Sequence, residues 1–278
     1  MIFVSLASGS SGNCSFLHTD KCDLLIDCGI SAKRISEGLS AFGLSISSLS
    51  GVLLTHEHSD HIKGLKRLMS AYNIPVYASA GTLRGVYESS KDEYFRFSGS
   101  SLMHEIASDN EFDIEDVHVC PFHIYHDARE PLGFRLSTEA EVPDAELRRR
   151  VSVCVATDTG YFDDYIRDHL LGLDAALIEA NHDRAMLAGG KYPLYLKRRI
   201  MSRQGHLCNN QSGKLISEIV GPRLRHVFLG HLSKENNTPS LALSTVRAEL
   251  KEALGERVSE SLSMSVAPHD GPSQLIKL

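Results

Sequence analysis

Short apolar runs alternate with turn signals along most of the chain. Runs such as Ile2–Leu6 and Ala175–Glu179 are short and rich in Leu, Ala or β-branched residues, which is typical of buried strands. Hydrophobic residues at helical spacing predict helices at His61–Ser70, Asn210–Val220 and Ser240–Leu250. Because many strands come first and the helices gather later, the pattern favours sheets covered by helices over a regular βαβ repeat.

The other predicted strands share the same short apolar pattern. They are Cys14–Leu17, Leu24–Asp27, Val52–Thr55, Pro75–Ala78, Tyr94–Phe97, Val117–Phe122, Leu132–Leu136, Val151–Thr157 and Arg225–Gly230. The most polar stretch, Thr138–Arg150, is predicted to be an exposed connection between two strands. Within it, Arg148–Arg150 is interpreted as a solvated charge run, with a nucleic-acid contact as the alternative.

The composition narrows the class of protein without choosing a function. The chain has 278 residues, 42% of them hydrophobic, and a formal net charge of −6, which suits one substantial core and argues against disorder. The sequence has no stretch of roughly 18 apolar residues for a membrane span, and its first residues lack the basic segment of a signal peptide. The six cysteines show no CxxC spacing, so we expect reduced thiols and a cytoplasmic protein. The mild acidity does not exclude nucleic acid, because a local basic patch is enough to bind it.

The sequence HEHSDH at 56–61 carries the most specific chemical signal. It follows the apolar run GVLLT and opens a predicted helix. His56 and His58 are two residues apart on a tight turn, so both imidazoles can face one point, while Asp60 and His61 can face a second point nearby. Neutral imidazole and carboxylate are ligands that zinc accepts, and carboxylate-rich sites also suit manganese or iron. Four such groups in six residues favour a metal site over a solvated turn.

This motif resembles the pattern T-H-x-H-x-D-H of the metallo-β-lactamase superfamily. Four further elements of the family pattern occur in order, in the segments LLIDCG, PFHIYHDAREPLGF, VCVATDTG and VFLGHLS. They supply Asp27, His126, Asp158 and His231. The resemblance implies an α+β fold, a four-layer αββα sandwich with two mixed sheets between helices, in a single domain over residues 1–278.

The resemblance also implies a site for two divalent metal ions, with zinc expected and manganese or iron as alternatives. The implied ligands are His56, His58 and His126 for one ion, Asp60, His61 and His231 for the other, and Asp158 between them. In the family, the residue at the position of Asp27 orients the metal-binding loop and is not a ligand. The commonest true β-lactamases carry Cys where this chain has Asp158, so the resemblance favours the phosphodiesterase-like and nuclease-like branches.

The chain is more narrowly similar to the YycJ/WalJ group of bacterial metallo-hydrolases. The resemblance rests on segments such as SLASGSSGNC at 5–14, ATDTGY at 156–161 and KYPLYLKRRIMSRQGHLCNNQSG at 191–213. It implies a metal-dependent phosphodiesterase, an exonuclease acting from 5′ ends, with DNA expected before RNA and a metal-bridging hydroxide as the nucleophile. The group usually has Ser where this chain has Cys208, which puts any hydroxyl role there in doubt.

Three residues beside the implied metals are candidates for the reaction. Asp60 belongs to the ligand set, and its replacement is expected to abolish turnover. His206 matches a histidine that lies beside the scissile phosphate in ribonuclease Z-like proteins, and Glu179 matches the carboxylate paired with it. A Glu in that position would fix the imidazole tautomer, so that His206 could protonate the leaving oxygen. The alternative for His206 is a cap on the helix that begins near Asn210.

Candidate substrate contacts are less specific. His182 in the segment EANHD can touch a substrate phosphate, or can be an ordinary surface histidine. Ser10 and Asn13 lie in the loop SGSSGN, which can approach the metal site or be a plain hairpin turn. Five cations fall within thirteen residues that contain no Asp or Glu and run directly into His206. They are Lys191, Lys197, Arg198, Arg199 and Arg203. Beside the metals they would neutralise a phosphate backbone, and a solvated helix face is the alternative.

Two other function classes stay open at the level of the sequence. The same fold hydrolyses small esters, thioesters, lactones, cyclic phosphodiesters and β-lactams, so the fold alone cannot choose the substrate. A non-catalytic metal-binding sensor or scaffold is the second alternative, against which the complete ligand set argues. The predicted partners are therefore nucleic acid as substrate and no membrane, and a homodimer can help to shape the entrance for substrate.

Overall fold

The structure is a computed structural model that describes residues 1–90, 100–142 and 147–278. The described chain divides into two compact units. The first unit comprises Met1–His123, Ala128–Val151 and Pro268–Leu278, and the second comprises Ile124–Asp127 and Ser152–Ala267. The predicted strand Tyr94–Phe97 lies outside the described residues, and a single domain over 1–278 stays a prediction.

Strands and helices alternate in an order close to the predicted one. The strands are β1 (Ile2–Ala7), β2 (Cys14–His18), β3 (Asp23–Ile26), β4 (Gly51–Leu53), β5 (Val76–Ser79), β6 (Met103–Ile106), β7 (Phe112–Ile114), β8 (Val117–His123), β9 (Leu132–Val142), β10 (Leu147–Ala156), β11 (Ala175–Glu179), β12 (His226–Gly230), β13 (Ser263–Val266) and β14 (Ile276–Lys277). The helices are α1 (Ala32–Ser40), α2 (Ser59–Ile62), α3 (Leu65–Tyr72), α4 (Ala80–Ser90), α5 (Asp164–His169), α6 (Arg184–Gly189), α7 (Leu194–Ile200), α8 (Asn209–Ile219), α9 (Pro239–Leu254) and α10 (Glu256–Ser261).

One seven-stranded mixed sheet lies in the first unit, in the order β14-β1-β2-β3-β4-β5-β6. The strands from β14 to β3 pair antiparallel, and those from β3 to β6 pair parallel. Apart from Asp23 at the start of β3, strands β3 and β4 are apolar, and all of their residues are buried, as expected for parallel strands covered on both faces. The apolar faces of α1 and α3 complete this core with Ile35, Leu39, Leu65 and Leu68.

The second sheet also has seven strands, in the order β13-β12-β11-β10-β9-β8-β7. Strand β10 passes from the first unit into the second after Val151. Strands β10 to β13 pair parallel, whereas β7, β8 and β9 pair antiparallel. Every residue of β11 and β12 is buried. The residues that follow these strands therefore lie at the carboxyl edge of a buried parallel sheet.

Two local predictions were wrong. The helix predicted at His61–Ser70 is two helices, α2 and α3, separated at Lys63 and Gly64. A Cβ on Gly64 would lie 2.6 Å from the Ile30 carbonyl oxygen, so the chain passes too close there for a side chain. In the sequence, a single glycine within an apolar helical pattern does not indicate that the helix is interrupted there.

The stretch Thr138–Arg150 is also different from its predicted form. Strands β9 and β10 extend into it from both sides, so most of it is strand. In β10, Arg150 Nε lies 3.7 Å from a carboxylate oxygen of Glu139 in β9, which agrees with a solvated charge run. A strand face exposed to water is as polar as a loop, and composition alone does not separate them.

Two further predictions are that the cysteines are reduced thiols and that the chain has no membrane span. All six cysteines lie within the described ranges, and none of them forms a disulfide. In the same ranges, every helix is too short or too polar to cross a bilayer.

Candidate metal centre

The HEHSDH motif lies at the carboxyl edge of the first sheet. Strands β3 and β4 are parallel neighbours, so the residues that follow them, Asp27 and Thr55, meet at the same edge. Asp27 has a left-handed backbone with φ of 60°. Its Oδ1 accepts a hydrogen bond from the Thr55 backbone N–H at 2.9 Å, and the Thr55 hydroxyl donates to both carboxylate oxygens. Asp27 thus fixes the start of the motif.

Asp27 also determines how His61 is presented. The fully buried ring of His61 places its Nδ1 2.8 Å from Asp27 Oδ2. Its Nε2 lies 3.1 Å from Asn13 Nδ2 and 3.6 Å from Asp60 Oδ2. A carboxylate behind Nδ1 selects the tautomer in which Nε2 carries the lone pair, the arrangement common for metal-bound histidine.

His56 and His58 converge in the same motif. The Thr55 hydroxyl lies 3.0 Å from His56 Nδ1, which leaves His56 Nε2 directed at His58 Nδ1 at 3.1 Å. Two ring nitrogens this close suit two ligands of one cation better than two ordinary surface histidines.

The loop SGSSGN closes over the motif within the first unit. The Asn13 backbone N–H donates to the Asp60 carbonyl at 2.8 Å, and the buried Asn13 side chain reaches both Asp60 and His61. A Cβ on Gly29 would lie 1.6 Å from the Asp60 carbonyl oxygen, so this approach needs glycine. Of the two loop residues singled out from the sequence, Asn13 therefore contacts the motif, whereas Ser10 is exposed.

A second group of candidate residues lies at the carboxyl edge of the parallel strands in the second unit. Asp158, Glu179 and His231 follow or end the neighbouring strands β10, β11 and β12. Asp158 and His231 are buried and have φ values of 60° and 54°, in the left-handed region that non-glycine residues rarely adopt. Together with His206, they bring one donor atom each to within 4.8 Å of one another. We call Asp158, Glu179, His206 and His231 the strand-end cluster.

Glu179 organises this cluster. Its Oε1 lies 2.8 Å from His206 Nδ1 and 2.9 Å from His231 Nδ1. Its Oε2 accepts the backbone N–H groups of Thr159 and Leu207 at 3.0 and 3.1 Å. Burial would raise the pKa of this carboxyl, but the hydrogen bonds and charges of the two histidines hold it well below its ordinary value. Glu179 is therefore ionised and orients both rings through Nδ1.

His126 and His182 lie in the same unit with different surroundings. His126 Nδ1 lies 3.2 Å from the Gly205 carbonyl oxygen, and its Nε2 lies 4.0 Å from Asp158 Oδ1. Burial lowers its pKa, so it is neutral, the form that binds a metal. His182 is buried, its Nδ1 has no hydrogen-bond partner among the described residues, and burial lowers its pKa to about 4.

The start of the helix that follows His206 tests the alternative that His206 caps this helix. Helix α8 begins at Asn209, and its capping position is Cys208, not His206. The ring of His206 instead faces Glu179. Cys208 is buried, and its sulfur accepts a hydrogen bond from Arg184 Nε at 3.1 Å, which a serine oxygen could also accept.

The predicted basic cluster proves to be heterogeneous. Arg199 donates to Asp127, the neighbour of His126, and Lys197 Nζ donates to the Ala188 carbonyl at 2.6 Å. The Arg203 guanidinium stacks over the ring of Tyr161 at 3.6 Å. Lys191 and Arg198 are exposed.

Sequence reasoning missed several of these contacts. Thr55, which links Asp27 to both His56 and His61, precedes the motif, and a hydroxyl between strand and motif could have been noticed. The ion pair of Asp127 with Arg199 spans 72 residues and left no local signal. The same holds for Glu179, whose contact with His206 was expected but whose second contact with His231 was not.

Both groups of residues fit a divalent metal. The donors are imidazole nitrogens and carboxylate oxygens, the types that zinc, manganese and iron accept. In each unit a buried carboxylate holds the Nδ1 of a candidate ligand, His61 in the first and His231 in the second, so that Nε2 is available to a metal. Buried imidazoles and carboxylates held in this way suit metal ligation. Without a metal ion, their burial would cost free energy.

Comparisons with known proteins agree with this chemistry. The model of the β-lactamase superfamily domain matches residues 23–229. The chain is 35% identical over 258 residues to exodeoxyribonuclease YycJ of Bacillus anthracis, covering 90% of this chain and 89% of the relative. It is 37% identical over 248 residues to exodeoxyribonuclease WalJ of Streptococcus pneumoniae, covering 89% and 87%. The chain belongs to the metallo-β-lactamase superfamily. Its resemblance to the YycJ/WalJ group is thereby confirmed.

Solved structures of metallo-β-lactamase fold are similar over the full length. Zn(2+)-bound PqqB from Methylobacterium extorquens has a TM-score of 0.67 at 17% identity, covering all of both chains. The short form of human tRNase Z has a TM-score of 0.64 at 16% identity, covering 100% of this chain and 99% of that one. Together with the two mixed sheets and their helices, these likenesses confirm the predicted fold class. Membership of this superfamily, together with the likeness to two exodeoxyribonucleases over most of the chain, confirms the predicted enzyme class, a metal-dependent hydrolase of the phosphodiesterase and nuclease type.

Proposed function

We propose that this protein is a metal-dependent exonuclease that removes nucleotides from the end of a DNA strand. The observation that carries the proposal is the single carboxylate, Glu179, that orients both His206 and His231. His231 is expected to bind metal and His206 to protonate the leaving group, so one carboxylate orients both a metal ligand and a proton donor. DNA is preferred to RNA because both relatives are named exodeoxyribonucleases.

The residues expected to hold two divalent ions are those implied by the sequence. They are His56, His58, His126, Asp60, His61, His231 and Asp158. Such ions would acidify a water molecule and stabilise the charge that develops on the phosphate oxygens. Asp27 and Glu179 act through other residues, since their carboxylates face Nδ1 atoms of candidate ligands.

His206 supplies the proton that the leaving oxygen needs. Its Nδ1 is held by Glu179 at 2.8 Å, which leaves Nε2 as the atom that can carry a transferable proton. The ring is partly buried and retains access to solvent, which a group that exchanges protons with water requires. His206 can therefore protonate the departing 3′ or 5′ oxygen and be recharged from water.

A nuclease assay with defined metals tests the proposal. The full chain would be loaded with Zn²⁺ or Mn²⁺ and incubated with end-labelled single- and double-stranded DNA and RNA, with and without a 5′ phosphate. We expect DNA products that shorten stepwise from one end. Asp60→Ala is expected to abolish cleavage while remaining folded, and Asp20→Ala, a change at an exposed aspartate, is the matched control that should cleave like the wild type.

Two results would contradict the proposal. Hydrolysis of a small phosphodiester, thioester or lactone without cleavage of any polymer would assign the site to a small substrate. A folded protein that binds metal stoichiometrically but hydrolyses none of these compounds would assign it to a sensor or scaffold. Cleavage of RNA alone would keep the chemistry and change the substrate.

A further inference from the structure

Helix α7 is unusual because none of its residues is buried. The helix and the residue after it expose three large apolar side chains, Leu194 at 62%, Tyr195 at 74% and Met201 at 53% of their surface. A single exposed apolar residue needs no explanation, but three on one short helix indicate a surface that contacts something else.

The segment of sequence that contains α7 is rich in positively charged residues. Residues 184–217 contain seven Lys and Arg and no Asp or Glu, in a chain whose net charge is −6. Arg198 is three residues after Tyr195, four after Leu194 and three before Met201, so at helical spacing the four share one face. We call Leu194, Tyr195, Arg198 and Met201 the α7 surface.

The other cations of this segment hold α7 in place within the second unit. Arg199 is bonded to Asp127, and Lys197 to the Ala188 carbonyl oxygen. Arg203 is stacked on Tyr161. Their charges contribute to the local field, while Arg198 is exposed beside Tyr195.

The α7 surface is joined directly to candidate active-site residues of the same unit. The Ile200 carbonyl, in the last turn of α7, accepts the backbone N–H of His206 at 2.9 Å. The Gly205 carbonyl oxygen lies 3.2 Å from His126 Nδ1. A strand that places its terminal phosphodiester beside His206 would therefore pass close to α7.

We propose that the α7 surface binds single-stranded nucleic acid, with Tyr195 stacked on an unpaired base and Arg198 on a neighbouring phosphate. This inference rests on the proposed function and adds the strand state of the substrate. An exposed ring can stack only on a base whose face is open, and a duplex hides those faces everywhere except at its two ends. Aromatic, apolar and cationic side chains together are the composition of single-strand binding surfaces.

A second copy of this chain is a less suitable occupant of the α7 surface. A twofold interface brings the same patch of both copies together. In this case it would place the acid-free segments, with Arg198 in each, against one another, and like charges in contact oppose association. A polyanion removes that conflict.

Equilibrium binding tests the inference without turnover. In the Asp60→Ala background, Tyr195→Ala is expected to weaken binding of a fluorescent single-stranded oligodeoxynucleotide by roughly 5- to 100-fold. Tyr195→Phe keeps the ring and should bind like the parent. Tyr72→Ala, which removes an exposed tyrosine on α3, is the matched control and should have no effect. Binding of a closed circular duplex, which has no terminal base pair on which a ring can stack, should not respond to Tyr195→Ala.

Two further measurements separate stacking from charge. Tyr195→Ala should leave the slope of log affinity against log salt unchanged, whereas Arg198→Ala should reduce its magnitude by about one. An abasic strand of the same length should bind the parent and Tyr195→Ala equally, because it offers no base to stack on.

The outcomes distinguish this inference from the proposed function. If the wild-type enzyme degrades DNA but Tyr195→Ala binds single strands normally, the inference is wrong and the function stands. If Tyr195→Ala changes the mass measured by light scattering and leaves DNA binding intact, the α7 surface is an interface between copies, which also overturns the inference. If the wild type neither cleaves nor binds nucleic acid, the proposed function itself fails.

Discussion

Replacing Glu179 by glutamine probes the strand-end cluster with almost no change in shape. The carboxylate accepts four hydrogen bonds, two from imidazoles at Oε1 and two from backbone N–H groups at Oε2. A glutamine side chain has one oxygen that accepts and one nitrogen that donates. It can therefore satisfy one pair of partners, and its amide N–H groups oppose the other pair.

Both orientations of the new amide are costly. If its oxygen faces the histidines, its nitrogen meets the N–H groups of Thr159 and Leu207, and two buried donors lose their acceptor. If its nitrogen faces the histidines, both rings must move their proton to Nε2, and His231 loses the lone pair that would bind a metal. In the first orientation two buried charge-assisted hydrogen bonds are lost, at about 1.5–3 kcal/mol each, so we expect the unfolding free energy to fall by about 3–6 kcal/mol. In the second orientation the hydrogen bonds are kept, and the cost is the loss of the His231 metal ligand.

Denaturant titration with and without metal measures this cost. Glu179→Gln should also weaken metal binding or activity by at least 10- to 100-fold, the usual effect of removing a carboxylate behind a ligand histidine. Glu235→Gln, at an exposed position, is the control for the chemical change and should alter neither quantity. If Glu179→Gln kept the stability and metal affinity of the wild type, the carboxylate would not be what orients His206 and His231, and the reasoning would be refuted.

Three other expectations concern burial, packing and metal. Because the pKa of buried His182 lies at about 4 against an ordinary value of 6.5, its contribution to stability is complete above pH 6.5 and is lost as the pH falls toward 4; His182→Gln should remove up to about 3 kcal/mol of that pH dependence in denaturant titrations. Gly29→Ala places a Cβ 1.6 Å from the Asp60 carbonyl oxygen and should cost about 3 kcal/mol or more in unfolding free energy, while Gly189→Ala, which meets nothing within 4 Å, should cost under about 1 kcal/mol. Chelation should lower the melting temperature of the wild type, since a ligand at one hundred times its Kd contributes about 2.7 kcal/mol; calorimetry that shows no shift would argue against a bound metal.

The sequence predicted the strands that carry the site better than their surroundings. Strand β11 was predicted with its observed bounds because a continuous apolar run between turn signals has few other interpretations. Strands β9 and β10 were predicted too short, since their solvent-facing residues are as polar as a loop. Helix α7 was not predicted at all, because its positions carry no buried apolar face for a periodic pattern to show.

The candidate site divides in the same way. The HEHSDH motif and the residues at strand ends are local patterns, and a resemblance could place each of them by number. His231 as the second partner of Glu179 and Arg199 as the partner of Asp127 depend on residues 52 and 72 positions apart. A single sequence carries no record of such pairs, because any of many carboxylates would satisfy a local pattern equally well.

Both units have the same local arrangement at the ends of their parallel strands, a left-handed residue that carries or contacts a buried carboxylate. Asp27, Asp158 and His231 each take a left-handed backbone where a strand ends, and such conformations persist only where surrounding contacts over-determine them. Those contacts are the carboxylates: Asp27 holds Thr55 and His61, and Glu179 holds Thr159 and His231. The imidazole tautomers are therefore set by buried protein groups before any ligand arrives. It follows that metal should enter with little rearrangement, and that in the second unit the hydrogen bonds of Glu179 help to hold the strained backbone in place.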